Sequence, residues 1–269
     1  MIDILEIANR YVTTHDISEG HARELRGHAR RYGQPLSAEC LNADLKRLRS
    51  LGRSDSYIRN RRVYVLMLWR YAASLDLITD PPMSKIMRVR RRDLVPCGYI
   101  AKEVARLVES ASYLNGTYSS GISRAAWWMS FIQSDWDTGL SVCDMLAVER
   151  SWIQPNGEFI TVRHKTGKRV KVGLWPSTIT LIDATFPPER ELIWPLTISR
   201  EMMRRTFATI ARKAKLGGSL KWLRAGSGTS VDELHGHGEQ HLGNTRQVFE
   251  QHYLCSTLQA RLPEEAVFG

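Results

Sequence analysis

The sequence predicts a mainly α fold with one small β-hairpin, arranged as two domains joined by a basic linker. Three observations carry this prediction. Apolar residues recur at three- and four-residue spacing through most of the chain. That period gives way to alternation only in EFITVRHKTGKRVKVGL. The segment MSKIMRVRRRDLVPCG, rich in arginine and followed by proline and glycine, separates two stretches of different charge. The 269 residues are 43% hydrophobic and 25% charged, which excludes a disordered or collagen-like chain.

The elements follow in order. Ser18 opens a helix over EGHARELRGHARRY, closed by Gly33. Ser37 caps AECLNADLKRLRSL, whose Cys40, Leu41, Leu45 and Leu48 share a face, and Gly52 ends it. Ser54 opens the longest helix, DSYIRNRRVYVLMLWRYAASLDLI. Its stripe is Ile58, Val65, Leu68, Trp69 and Ala72, with Arg59, Arg61, Arg62 and Arg70 placed mostly off it. Pro81 and Pro82 stop the pattern. Beyond the linker, AKEVARLVESASY reads as an amphipathic helix. SRAAWWMSFIQSDWDTG reads as a buried one ending at Gly139, with Trp127, Trp128, Phe131 and Trp136 as core. SVCDMLAVERSWI is expected to continue as helix. The hairpin turns at Lys165-Thr166-Gly167-Lys168, and helices resume from Ser177.

Charge is the first functional signal. There are 38 Lys+Arg against 28 Asp+Glu, a formal +10. Through Arg92 the chain holds 18 basic and 10 acidic residues; the rest holds 20 and 18. A basic excess concentrated in one third points to a polyanion partner, with a solvated surface as the plainer reading. No run of about 18 apolar residues predicts a membrane span, and the start lacks the pattern of a signal peptide. Cys40, Cys97, Cys143 and Cys255 form no CxxC pair, so a reducing, cytoplasmic setting is expected. His235, His237 and His241, with Glu239 among them, have spacing that zinc can use. Gly236 and Gly238 argue for a loop and no fourth ligand is evident, so neither metal nor cofactor is expected.

Four short segments then line up. They are DTGLSVCDMLAVERSWI from Asp137 to Ile153, HKTGKR in the hairpin, Lys221-Trp222-Leu223-Arg224, and Leu242-Gly243-Asn244 followed by Tyr253. In this order, after a basic helical region, the chain from about Ser37 to Tyr253 resembles the tyrosine recombinase (phage integrase) family. The resemblance implies a helical, SAM-like core-binding DNA-binding domain at 1–87, a basic linker at 88–98 and an α+β catalytic-type domain at 99–269. Together these would clamp a DNA duplex. It also implies the chemistry. Tyr253 would attack a phosphate to form a 3′-phosphotyrosyl link. Arginines would hold the non-bridging oxygens, and Lys165 would protonate the leaving 5′ oxygen.

The sequence departs from the family's set at three positions. Ser141 stands where the first arginine is expected, Lys221 where the first histidine is expected, and Asn244 where a histidine or tryptophan closes the last box. Ser141 is the serious change, because a short neutral hydroxyl cannot neutralise a phosphate. Losing one preorganised donor costs about 10²–10³ in rate. Arg150 and Arg124 are candidates to compensate. Arg150 lies nine residues on, about two and a half helical turns, which is the wrong geometry. The expectation is therefore a DNA-binding protein of this family with an impaired active site; the alternative is an active recombinase. Arg59, Asn60 and Arg62 of the long helix would read bases, and Arg88, Arg90, Arg91, Arg92 and Lys168 would hold phosphates. Plainer roles stay open: Tyr253 as a packing aromatic after Phe249, Arg224 in a surface salt bridge, Lys165 as a solubilising turn residue. A non-enzymatic helical adaptor with a basic face is the rival from another class. Leu254, Leu258 and Leu262 in the tail have helical spacing for docking on a second copy in a dimer or tetramer.

Overall fold

A computed structural model describes residues 3–90, 95–195 and 198–255. The chain divides into two compact units, Met1–Asp93 and Leu94–Gly269.

Four helices build the first unit: α1 (Ile4–Thr14), α2 (Glu19–Tyr32), α3 (Ala38–Ser50) and α4 (Asp55–Ser74). Ser18, Ser37 and Ser54 each accept a hydrogen bond from the amide three residues on, satisfying a donor that the first turn leaves free. Gly33 ends α2 with φ 54°, a left-handed conformation that costs glycine little. The core gathers Leu25, Leu41, Leu45, Ile58, Val65, Leu68 and Trp69. The apolar pattern assigned no helix before Ser18; α1 is one, and it buries Ile4, Ile7 and Ala8 on a single face. The longest helix stops at Ser74, short of the expected Ile78. After it, Asn42 clasps the chain on both sides, donating to Lys85 O at 2.8 Å and accepting from Met87 N at 2.8 Å, while Ile86 is buried. The stretch leading into Arg88 is thus docked rather than a free tether.

One expectation fails in this unit. Arg61 is fully buried, not off the apolar stripe. Ile58, Arg61, Val65, Leu68 and Ala72 follow three- and four-residue steps, so geometry puts the guanidinium inward. It survives there because three partners receive it: His28 Nδ1 at 3.2 Å, Asp44 Oδ2 at 3.3 Å and the Tyr57 hydroxyl at 3.2 Å.

The second unit holds α5 (Ala101–Ser112), α6 (Arg124–Thr138), α7 (Val142–Met145), β1 (Glu158–Val162), β2 (Arg169–Gly173), α8 (Pro176–Thr185), α9 (Arg200–Lys213), α10 (Leu220–His235), α11 (Gly238–His241) and α12 (Arg246–His252). Trp127, Trp128, Phe131, Trp194, Phe207 and Leu223 lie in its core, with Trp136 packed at the margin. The strands pair antiparallel, Glu158 opposite Gly173 and Val162 opposite Arg169. Phe159 and Thr161 point inward from β1, Val170 and Val172 from β2. The helix expected across Ser141–Ile153 breaks after Met145. There the chain extends to bridge a distant segment: Arg150 N donates to Glu191 O at 2.9 Å, and Ile193 N donates to Val148 O at 3.1 Å. Tertiary pairing overrides local helix preference.

Candidate active site

Three elements and two turns assemble a cationic cluster around Tyr253. Helix α10 supplies Lys221 and Arg224 from its first two turns. Arg224 is 4% exposed. It donates from Nη1 to Gly139 O and from Nη2 to Leu242 O at 2.8 Å. Gly139 makes this approach possible: it sits at φ 56°, and a Cβ there would lie 2.6 Å from Leu242 Cδ2 and 2.8 Å from His241 Nε2. Tyr253 caps the end of α12, its amide bonded to Phe249 O at 2.8 Å. The Arg224 guanidinium stands 5.1 Å from the centre of the Tyr253 ring, and Lys221 Nζ stands 5.6 Å from it.

The hairpin adds a residue that sequence reasoning passed over. Arg163 continues the inward alternation of Phe159 and Thr161 and is 8% exposed. Its Nη1 donates to Gly243 O at 3.1 Å and to Asn244 Oδ1 at 3.0 Å. Arg224 and Arg163 therefore hang from consecutive carbonyls of one turn, Leu242 and Gly243. Gly243 has φ 62°, and a Cβ there would lie 2.6 Å from Val170 Cγ2 and 3.3 Å from Arg163 Cδ. Behind Arg163 lies Asp144, which is buried. Its Oδ2 accepts from Ser141 Oγ at 2.7 Å and faces Arg163 Nε at 3.9 Å, and its Oδ1 accepts from His164 N at 2.8 Å.

Several donors in this cluster are unspent. Arg163 Nε, Arg224 Nε and Asn244 Nδ2 are buried without a hydrogen-bond partner. Buried donors left this way are costly, so each calls for an explanation. Among the described residues, no carboxylate pairs with Arg224. Burial pushes the Tyr253 phenol up, but Arg224, Lys221 and Arg163 outweigh burial and hold it below the usual tyrosine range. Burial and Arg224 lower the His241 imidazole to about 4, so it stays neutral at pH 7. Burial, then Arg224, lowers the Arg163 guanidinium, against the opposing pull of Asp144 and Tyr253. Asp135 is buried, and burial pushes its carboxyl well up against the opposing pull of Arg224.

The expected residues fall into distinct places. Tyr253, Arg224, Lys221 and Asn244 come together. Ser141 joins them only through Asp144 and Arg163, as the N-cap of α7. Lys165 and Lys168 are exposed on the hairpin turn, and neither side chain bonds to the cluster. The two proposed compensators are engaged elsewhere. Arg150 pairs with Asp183 at 2.7 Å and Phe186 O at 3.0 Å, and Arg124 lies over the Tyr118 ring. In the first unit Arg59 and Asn60 are exposed on α4, as are Arg88 and Arg90 beyond it. Arg62 is half-buried and donates from Nε to Met87 O at 2.9 Å. Arg91, Arg92 and the tail with Leu258 and Leu262 lie outside the described residues. His241 is turned toward Ser227 Oγ at 2.8 Å, and no group of three or more metal-ligating side chains occurs among the described residues. Nor is any described helix long and apolar enough to cross a membrane.

The missed residues were Arg163 and Asp144. The signal for Arg163 was its place two residues beyond Thr161 in an alternating strand.

Comparison with solved structures agrees with this architecture. A lambda integrase(75-356) dimer bound to a COC′ core site matches with a TM-score of 0.79 at 16% identity, over 97% of this chain and 98% of that one. The Tn1549 transposon integrase in complex with circular intermediate DNA matches at 0.65 and 8% identity, over 98% and 97%. XerH site-specific recombinase, bound to its difH substrate in a pre-cleavage complex, matches at 0.60 and 16% identity, over 81% and 68%. No protein-family model matches the sequence, and no curated protein matches it. These solved structures are tyrosine recombinases. The chain has their fold, mainly helical with a small two-stranded antiparallel sheet.

Proposed function

We propose that this protein binds duplex DNA and acts in site-specific recombination or integration of mobile DNA, with Tyr253 as the nucleophile. One observation carries the reading: the Tyr253 ring stands 5.1 Å from the buried Arg224 guanidinium and 5.6 Å from Lys221 Nζ, with a second buried arginine, Arg163, bonded to the same turn as Arg224. That arrangement fits a tetrahedral anion beside an attacking hydroxyl. In the reaction the Tyr253 oxygen bonds to a backbone phosphorus as the P–O5′ bond breaks. The phenol's proton passes to solvent, and the leaving 5′ oxygen takes a proton from the Lys165 ammonium. One phosphodiester is exchanged for another, so no cofactor is consumed. Arg224 holds a non-bridging oxygen, while Lys221 and Asn244 donate to the phosphate from either side. Arg59, Asn60 and the exposed arginines Arg88 and Arg90 contact the duplex from the first unit, and Lys168 contacts it from the hairpin. Arg62 keeps its outer nitrogens for the same purpose. The protein works on DNA in the cytoplasm, at the nucleoid, as a dimer or tetramer joined through its C-terminal tail.

Ser141 favours a second reading, in which the protein binds its site without cutting. The test is a nicked suicide duplex carrying a site selected from a random pool by this protein. A covalent adduct that disappears in Tyr253→Phe supports cleavage. Tight, salt-sensitive binding with no adduct supports the second reading. Affinity that is weak and indifferent to sequence would sink both, leaving the adaptor.

A further inference from the structure

We infer that Arg163 is the second phosphate-holding arginine of this site, moved from the start of α7, where Ser141 stands, to the end of the hairpin strand β1. The inference deepens the recombinase reading and rests on it for the identity of the phosphate as a DNA phosphodiester.

Ser141 leaves the site one positive charge short. A phosphorane-like transition state puts negative charge on two non-bridging oxygens, and a single guanidinium reaches one of them well. Ser141 cannot serve the second. Its hydroxyl is engaged with Asp144 at 2.7 Å. That bond holds the Asp144 carboxylate against the Arg163 side, where Oδ2 faces Nε at 3.9 Å. The other oxygen of Asp144 fixes the backbone next to Arg163 by accepting from His164 N at 2.8 Å. Where an arginine at position 141 would have come from the helix, a serine there helps to orient an arginine from the strand.

The location of Arg163 suits the task. It shares the Leu242–Asn244 turn with Arg224, each guanidinium taking one of two consecutive carbonyls. Both residues are buried, and both keep an Nε with no hydrogen-bond partner, that of Arg163 having only the Asp144 carboxylate at 3.9 Å. Asn244 is held by Arg163 through Oδ1 at 3.0 Å, which leaves its buried Nδ2 as a third free donor. A purely structural arginine would not explain three buried donors without hydrogen-bond partners around one turn.

The test needs no knowledge of the DNA target. The 269-residue chain is titrated with inorganic phosphate at constant ionic strength, and its thermal midpoint is followed. Phosphate should raise the midpoint of the wild type. Arg163→Gln should weaken phosphate binding by about 10- to 100-fold, the worth of a hydrogen bond to a charged group. The double variant Ser141→Arg with Arg163→Gln should recover most of that loss by returning the charge to α7. If Arg163→Gln fails to fold by circular dichroism, Arg163→Lys takes its place. It keeps the charge but not the fork of donors, and should still bind phosphate several-fold more weakly than wild type. Wild-type phosphate affinity in whichever arginine variant folds would overturn the inference, as would a wild-type protein blind to phosphate. The suicide-duplex assay separates the two claims: Arg163-dependent phosphate binding without DNA affinity would sink the recombinase reading and leave the anion site standing.

Discussion

The molecule buries arginines in both of its units, and treats them in opposite ways. In the first unit, Arg61 spends a nitrogen on each of His28, Asp44 and Tyr57, and the Asp44 carboxylate offsets its charge. In the second, Arg224 leans on two backbone carbonyls, which accept hydrogen bonds but carry no net charge, and its Nε is left over. Arg163 resembles it, with Asp144 only at 3.9 Å. A saturated guanidinium specifies packing. An unsaturated one is a standing demand for an anion, because a buried cation without a counter-charge is destabilising until one arrives. Burial and arginine content look alike in the two places; the accounting of donors separates structure from function.

The largest effect that would break this comparison is catalytic. Arg224→Lys should cut adduct formation on the suicide duplex by about 10²–10³. Its thermal midpoint should fall by less than that of an Arg61 variant, because lysine keeps the charge and a donor for the Gly139 or Leu242 carbonyl. A midpoint loss as large as that of an Arg61 variant would show the two arginines to be alike. Arg61→Met should do the reverse. It leaves Asp44 buried with only the exposed Arg47 as partner, and should cost about 3 kcal/mol in urea unfolding. Specific DNA affinity per folded molecule should fall little.

The histidines beside these arginines sharpen the contrast through pH. His28 is lowered to about 4 by burial, then by Arg61 and Arg31 against Glu24; His241 is lowered to about 4 by burial and Arg224. Both folded values lie below the ordinary 6.5, so between pH 6.5 and 4 the unfolded chain binds protons that the folded chain does not. Stability is complete above about pH 6.5 and falls as the pH drops toward 4, by up to about 3 kcal/mol for each imidazole. Urea midpoints at pH 7.5 and 5.0 read the fall. His28→Gln should flatten part of it, since the amide keeps an acceptor for Arg61 and does not titrate. A slope unchanged in that variant would remove His28 from the account. The smallest effect is local: Ser54→Ala removes the cap of α4 and should cost about 1 kcal/mol in the same urea assay, with phosphate affinity unchanged.

Much of this architecture was legible before any coordinates. Serine caps marked the starts of α2, α3 and α4, and glycine stops the ends of α2 and α3, to within a few residues, because those signals act within one turn of chain. Alternation marked the hairpin for the same reason. The long-range features were less visible. The break after Met145 depends on pairing with Glu191 and Ile193, which no local pattern announces. The site was legible in part. The motif order brought Tyr253, Arg224, Lys221 and Asn244 to attention, and the geometry gathers all four. The same motifs drew attention to Ser141 as a gap and away from Arg163.

By itself, then, the sequence determined where α2, α3 and α4 lie, where the chain turns into a hairpin, and, through motifs that resemble the tyrosine recombinases, which tyrosine and arginine to set against a phosphate. Only the tertiary structure decided which arginines are spent and which are free. A guanidinium's role depends on what lies opposite it, and for Arg163 that is a turn 80 residues further along the chain. Periodicity can say that a side chain points inward; it cannot say whether a carboxylate, a carbonyl or an open place for an anion is waiting there.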